Sequence, residues 1–179
     1  FSIPLKKDSD YLNIIDRVIS EDFNKNKLLN QIRGAYSKSP CFERVFPLIE
    51  RIINFEDNNL FKFLKNSLNE ICIFLNLDIN VIDSSSLKID HSLKGQAKVI
   101  EICKNLNSSI YINPIGGTEL YSKSEFEKNN IELKFINSNV LDYYQFDSNF
   151  VESLSIIDLL FFVEEKYIGN HLQSYKLDT

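Results

Sequence analysis

Tyr111-Ile-Asn-Pro-Ile-Gly-Gly-Thr-Glu-Leu-Tyr121 holds two of the five glycines in this 179-residue chain, side by side at Gly116 and Gly117. An apolar, strand-like run, Ser109 to Asn113, leads into the pair, and a helix-like run, Ser122 to Lys128, leads out of it. With glycine so scarce, the pair reads as a demand for backbone geometry, because glycine reaches positive φ without a Cβ clash. Strand, glycine turn and helix start together read as the ligand-binding edge of an α/β sheet.

The flanking sequence extends that pattern in both directions. Downstream, Ile131-Glu-Leu-Lys-Phe135 alternates apolar and polar residues, as a strand with one exposed face does. Upstream, Leu93, Ala97, Ile100, Cys103 and Leu106 mark an amphipathic helix, and Ile79 to Asp83 reads as a strand before it. Strand, helix, strand, helix, strand predicts an α/β fold with a parallel βαβαβ sheet built from two right-handed crossovers. Asn24 to Leu75 predicts a helical insertion, or layer, of three helices. The first is capped by Asn24 or Asn26 and carries Leu28, Leu29, Ile32 and Tyr36. The second has Ser39 as N-cap and Pro40 in its first turn, followed by Phe42, Val45, Phe46, Ile49, Ile52 and Ile53. The third starts at Asn58. Phe1 to Leu5 and Asn13 to Ile19 read as short strands, and Asn137 to Asn149 as a loop. Ser155 to Phe162 reads as a buried helical turn or two, and Ile168 to Leu172 as a short closing helix.

Length and composition set the bounds. A chain of 179 residues, 44% apolar with 14 Phe and 8 Tyr, predicts a single globular domain over residues 1–179. The net charge of −5 and the lack of a Lys/Arg cluster argue against nucleic-acid binding. Cys41, Cys72 and Cys103 form no C-x-x-C pair; they read as buried, reduced thiols in a reducing compartment. The longest apolar run, Leu154 to Val163, is interrupted by Asp158 and is too short to span a bilayer, and no signal peptide is visible. The location expected from these features is cytoplasmic. Methionine is absent and the chain opens on strand-like Phe1-Ser-Ile-Pro-Leu5, so the expectation is a segment of a longer protein.

Ligands of an open parallel sheet bind at the carboxyl ends of its strands. That rule selects Asp83-Ser84-Ser85, Asn113 to Thr118, and Asn137-Ser138-Asn139. Backbone N–H groups at Gly116, Gly117 and Thr118 suit a phosphate, and Asn113 and Thr118 suit a sugar hydroxyl; the other reading is a tight structural loop. No G-x-G-x-x-G or G-x-x-x-x-G-K-[ST] is present. His91 precedes Lys94-Gly95 at a helix start. It is either a general acid or base, with Lys94 steadying an anion and Gly95 admitting a ligand, or an exposed loop histidine. Asp158, set in Leu154-Ser-Ile-Ile-Asp-Leu-Leu-Phe161, either caps or pairs within the structure or serves a site, since a buried acid needs partners. No residue spacing suits a metal, and no cofactor motif is evident.

Lys94-Gly95-Gln96, Ile100 to Lys104, Tyr111 to Gly117, Leu120-Tyr121, Phe126, Ile131 to Phe135 and Leu154 to Asp158 follow one another in an order that resembles the WbqC-like family. Ala35-Tyr36, Pro40, Phe42 and Val45-Phe46-Pro47 also look like that family. The resemblance implies a place among bacterial surface-polysaccharide (O-antigen) proteins. The activity it implies is transfer of an acyl or aminoacyl group, such as glycyl, onto an amino sugar. The family's strongest motif falls here on Asn113, Pro114, Gly116, Gly117, Glu119 and Tyr121, its second on Lys94 and Gly95, and its third on Ser155 and Asp158. The family's first strand–turn–helix, a Gln-Pro turn and a Gly-Tyr-Phe helix, has no counterpart here. The resulting expectation is a transferase acting on a nucleotide-linked amino sugar with an activated acyl or aminoacyl donor. In it Gly116, Gly117 and Lys94 hold phosphates and His91 or Asp158 is the base. Two alternatives stay open: a non-catalytic binding or scaffold domain in the same pathway, and a nucleotidyltransferase-like enzyme.

Overall fold

The computed structural model describes residues 1–139, 142–146 and 149–178. Its packing divides the chain into two compact units: Phe1–Ile79 with Asp142–His171, and Asn80–Leu141 with Leu172–Thr179.

The first unit is helical. Helices α1 (Lys25–Tyr36), α2 (Phe42–Ile53) and α3 (Leu60–Phe74) form the expected layer, and α6 (Ile156–Phe162) and α7 (Glu165–Leu172) return to it from the C-terminal part. The caps explain where the helices begin. Asn24 Oδ1 accepts from Lys27 N–H at 2.8 Å, and Asn59 Oδ1 accepts from Lys62 N–H at 3.1 Å. The second helix starts later than Ser39-Pro40 predicts. Cys41 is its N-cap, Cys41 N–H donates to the carbonyl of Phe161, and the buried Ser39 hydroxyl has no partner among the described residues. On α2, Val45, Phe46, Leu48, Ile49, Ile52 and Ile53 are all buried, a face wide enough to pack against several elements. They join Leu28, Leu29, Ile32, Phe63, Leu159, Leu160, Phe161 and Ile168 in one core. Each such side chain contributes about 1.5–3 kcal/mol by leaving water.

Neither N-terminal segment forms a strand of any length. Residues 14–16 make a 3₁₀ turn, and pairing is reduced to single bridges, Leu5 with Ile19 and Val18 with Asn59. Pro4 supplies a carbonyl to Ser20 N–H but has no N–H to return, which limits any ladder there.

The second unit is a mixed α/β unit. Helix α4 (Gly95–Asn105), strand β1 (Ile110–Pro114), a 3₁₀ helix (Ile115–Leu120), helix α5 (Lys123–Glu127) and strand β2 (Glu132–Ser138) follow in order, and β3 (Tyr175–Asp178) completes the sheet. β1 and β2 are parallel, with Ile112 opposite Lys134; β2 and β3 are antiparallel, with Ile136 opposite Leu177. The parallel βαβαβ sheet is thereby corrected to a three-stranded mixed sheet with one parallel pair. Ile79 to Asp83 is extended but joins no sheet, and Ile79, Val81 and Ile82 are exposed. Its apolar pattern suits a strand, but a strand also needs a neighbouring backbone to bond. β3 escaped the sequence reading because all four of its residues are exposed and carry no burial signal. On one face of the sheet Leu133 and Phe135 pack with Ile100, Cys103, Phe126 and Ile131. On the other, Ile110, Ile112, Tyr175 and Leu177 are exposed.

Helices α3, α4 and α5 end alike. Asn76, Asn107 and Asn130 stand at φ 52°, 53° and 58°. In each case the next residue's N–H reaches back to a carbonyl five residues earlier, Cys72, Cys103 and Phe126 respectively. Asparagine thus does the left-handed capping that glycine does in most proteins, which accounts for part of the glycine scarcity. All three cysteines are free; Cys103 is buried as expected, whereas Cys41 and Cys72 are only half-buried. No helix among the described residues is long and apolar enough to cross a membrane.

Candidate functional site

In the first unit, Asp158 is 6% exposed and lies in the first turn of α6, whose N-cap Ser155 accepts from Ile157 N–H through its hydroxyl. Its carboxylate collects three donors. Tyr36 Oη–H donates to Oδ1 at 2.9 Å; Tyr143 Oη–H and Gln145 Nε2–H donate to Oδ2 at 2.7 and 3.0 Å. Each donor is itself held. Tyr36 stacks on Phe161 with ring centroids 4.4 Å apart, and Tyr143 meets Phe150 edge-on at 5.2 Å. Gln145 is buried; its amide donates to the Val151 carbonyl at 3.1 Å and accepts from Val151 N–H at 2.9 Å.

The electrostatics of the cluster agree with this geometry. Burial first, and then the hydrogen bond to Asp158, push both the Tyr36 and Tyr143 phenols up to about 12. Both therefore stay protonated near neutrality and remain donors. A carboxylate offers about four lone-pair positions and three are filled, so one on Oδ1 has no donor among the described residues. Asp158, Tyr36, Gln31 and Ser155 line a cavity of about 480 Å³ with Leu28 and Ala35, within the range of about 300–1,000 Å³ typical of small-molecule sites. A single open acceptor position on a buried carboxylate suits a cationic ligand group such as an ammonium. The sequence singled out Asp158 but missed Tyr36, Tyr143 and Gln145 as its partners. The apolar setting of Asp158 implied donors; which of eight tyrosines supplied them was not readable.

In the second unit, the Tyr111–Tyr121 stretch is a local cluster. Tyr111 Oη–H donates to Asn113 Oδ1 at 3.1 Å and lies 3.4 Å from Tyr121 Oη, while its ring stacks on Phe126. Burial and the contact with Tyr121 raise the Tyr111 phenol well above its ordinary range. Neither Gly116 nor Gly117 has positive φ; Gly117 is needed for space, because a Cβ there would stand 2.0 Å from Asn113 Nδ2, and Gly116 faces open space. Gly95 is the glycine whose backbone, at φ +52°, demands the residue.

Asn113, Gly117 and Tyr121 are thus brought together, while Thr118 and Glu119 are exposed on the 3₁₀ turn. Lys94, exposed, is the N-cap of α4. His91 is exposed, with Nε2 3.0 Å from the Leu87 carbonyl. Hydrogen bonds from Ser92 hold the neighbouring Asp90 carboxyl below its usual range. Gln96 Oε1 accepts from Ser122 N–H and so ties α4 to the start of α5.

The other strand ends are engaged structurally. Asn137 and Ser138 lie within β2 opposite β3, Asn139 N–H donates to Ser174, and Ser86 closes a 3₁₀ turn onto Asp83. The predicted loop from Asn137 therefore begins as strand. Its residues 140, 141, 147 and 148 lie outside the described set. No group of three His, Cys, Asp or Glu that could hold a metal occurs among the described residues.

A mixed α/β chain with a buried, donor-ringed carboxylate on a ligand-sized cavity has the build of a small-molecule site. The WbqC-like protein family model matches residues 1–169, nearly the whole chain, and the chain belongs to that family. No curated protein and no solved structure matches it.

Proposed function

We propose that the chain is a transferase that adds an acyl or aminoacyl group, such as glycyl, to an amino sugar during bacterial surface-polysaccharide (O-antigen) synthesis. The acceptor in this reading is a nucleotide-linked amino sugar, the donor is an activated acyl or aminoacyl compound, and the location is the cytoplasm. The observation that carries it is Asp158: a carboxylate on a cavity wall, fixed by Tyr36, Tyr143 and Gln145, with one acceptor position that no described residue fills.

Asp158 binds the sugar ammonium and takes its proton, and the neutral amine attacks the donor's carbonyl carbon. A C–N bond forms, the bond to the leaving group breaks and the nitrogen gives up its second proton; one of the two protons goes to the leaving group and the other, by way of Asp158, to solvent. As a separate proposal for the second unit taken by itself, His91 is the alternative candidate base, Lys94, Gly95 and the turn at Gly116, Gly117 and Thr118 suit a phosphate group, and Asn113, Glu119 and Tyr121 suit sugar hydroxyls.

The test compares a nucleotide amino sugar with its N-acetylated counterpart, which lacks the basic amine. A ligand at 100 times its Kd stabilises the native state by about 2.7 kcal/mol. The expected result is a raised melting temperature with the free amine alone, lost in Asp158→Asn and retained in His91→Ala. Equal shifts from both sugars, or an unchanged response in Asp158→Asn, overturn the assignment of Asp158 to the amine.

A further inference from the structure

The polar cavity at Asp158 adjoins a second cavity, of about 210 Å³, in the same unit. The two share Phe1, Leu28, Ile32, Ser155 and Ile157, and the second runs on among Ile49, Ile53, Phe63 and Ile71 from α2 and α3. Among the described residues Ser67 and Ser155 are its only polar lining, and each hydroxyl already makes one bond to backbone. Ser67 donates to the Leu64 carbonyl at 2.7 Å, and Ser155 accepts from Ile157 N–H at 3.1 Å. A buried water needs two to four polar partners, and these two part-engaged hydroxyls are all that the described lining offers. An apolar void of about 150 Å³ already accommodates benzene, so this one has room for about six carbons. The lining repels a charged or hydrogen-bonding occupant, since neither would recover its lost hydration.

We infer that this slot binds a short apolar acyl chain of about six carbons, whose polar end lies in the Asp158 cavity. Assigning that chain to the donor rests on the transferase reading above. The slot then narrows the donor from acyl or aminoacyl to apolar acyl. An acetyl group leaves most of the volume empty, and a glycyl group places an ammonium where nothing pairs with it. A long lipid chain exceeds a volume of about 210 Å³.

The experiment is a calorimetric titration of the full chain with N-acetylcysteamine thioesters of increasing saturated chain length, from acetyl to dodecanoyl. This small thiol carries no nucleotide, so any preference comes from the acyl chain. Binding is expected to tighten about fourfold per added methylene up to about six carbons and then to stop improving. Ser67→Leu, which fills the slot from α3, is expected to weaken hexanoyl binding at least tenfold while leaving acetyl binding unchanged, and Ile71→Phe is a second filling variant. A flat series, a preference for acetyl, or hexanoyl binding unaffected by both variants overturns the slot. The wild-type series decides even where a variant fails to fold. An optimum in chain length without amine-dependent binding at Asp158 leaves the slot standing and removes the transferase reading. Amine dependence with a flat series does the reverse.

Discussion

The Asp158 cluster and the Gly116–Gly117 turn are built in opposite ways. Around Asp158, the interacting groups come from positions 36, 143 and 145, and each is locked by a further contact that does not involve the carboxylate. Around Gly117, the contacts lie within the eleven residues from Tyr111 to Tyr121, apart from the stack on Phe126. The turn is conspicuous in sequence because its geometry is local. The carboxylate cluster is inconspicuous because it exists only after α1, α6 and the segment after residue 141 have met. A conspicuous motif therefore marks local backbone and space requirements first, and a buried polar group in an apolar run marks assembly.

That contrast breaks most readily at Asp158. Asp158→Ala leaves three donors facing a void, and we expect a loss of at least about 3 kcal/mol in denaturant unfolding. A loss under about 1 kcal/mol would put the cluster on the same footing as the turn. Next come Tyr36→Phe and Tyr143→Phe. Each keeps its ring packing and removes one hydrogen bond to a charged group, for about 1.5–3 kcal/mol. Double-mutant cycles with Asp158 are expected to be strongly non-additive, because the pairs are in direct contact.

The same phenols predict an alkaline signature. Their folded pKa of about 12 exceeds the ordinary tyrosine value of about 10. Above pH 10 the unfolded chain releases these protons and the folded chain keeps them, so stability is fully present below pH 10 and falls as the pH rises to 12. Unfolding measured across that window, with phenolate absorbance as the second readout, is expected to flatten in Tyr36→Phe and again in Tyr143→Phe. An unchanged slope in both would mean that the phenols are neither buried nor bonded to Asp158 as described.

The turn predicts smaller effects. Gly117→Ala pushes Asn113 aside and breaks its bond with Tyr111, for about 1–2 kcal/mol, and Asn113→Ala in the same chain is expected to recover part of it. Gly95→Ala costs about 1 kcal/mol through its left-handed backbone alone. Gly116→Ala, which meets neither obstacle, is expected within about 0.5 kcal/mol of the parent. Equal losses at Gly116 and Gly117 would show that the pair acts through backbone freedom and not through the space that Asn113 needs.

The helical layer was legible because 3.6-residue periodicity and Asn caps are short-range signals; Asn24 and the apolar faces of α1 and α2 fall where the pattern puts them, whereas on α3 only Phe63 is buried and Leu64 and Leu68 stay exposed. Strand β2 was legible from its alternation, since Leu133 and Phe135 point into the core and their neighbours do not. The segment from Ile79 to Asp83 carries a similar apolar signature and pairs with no strand among the described residues, and β3 has a partner strand and no signature. Hydrophobic pattern reports which side chains seek burial, whereas a ladder forms only where another backbone is brought alongside.

The sequence by itself determined the helical layer, the parallel β1–β2 pair and the family, and it marked Asp158 as an acid needing partners. Tertiary structure alone decided which partners those are, that β3 pairs antiparallel with β2, and that Gly117 serves Asn113 by making room. The physical reason is range. Caps, periodicity and turns are set by residues a few positions apart, whereas the donors on Asp158 are up to 122 positions away and are selected only by packing.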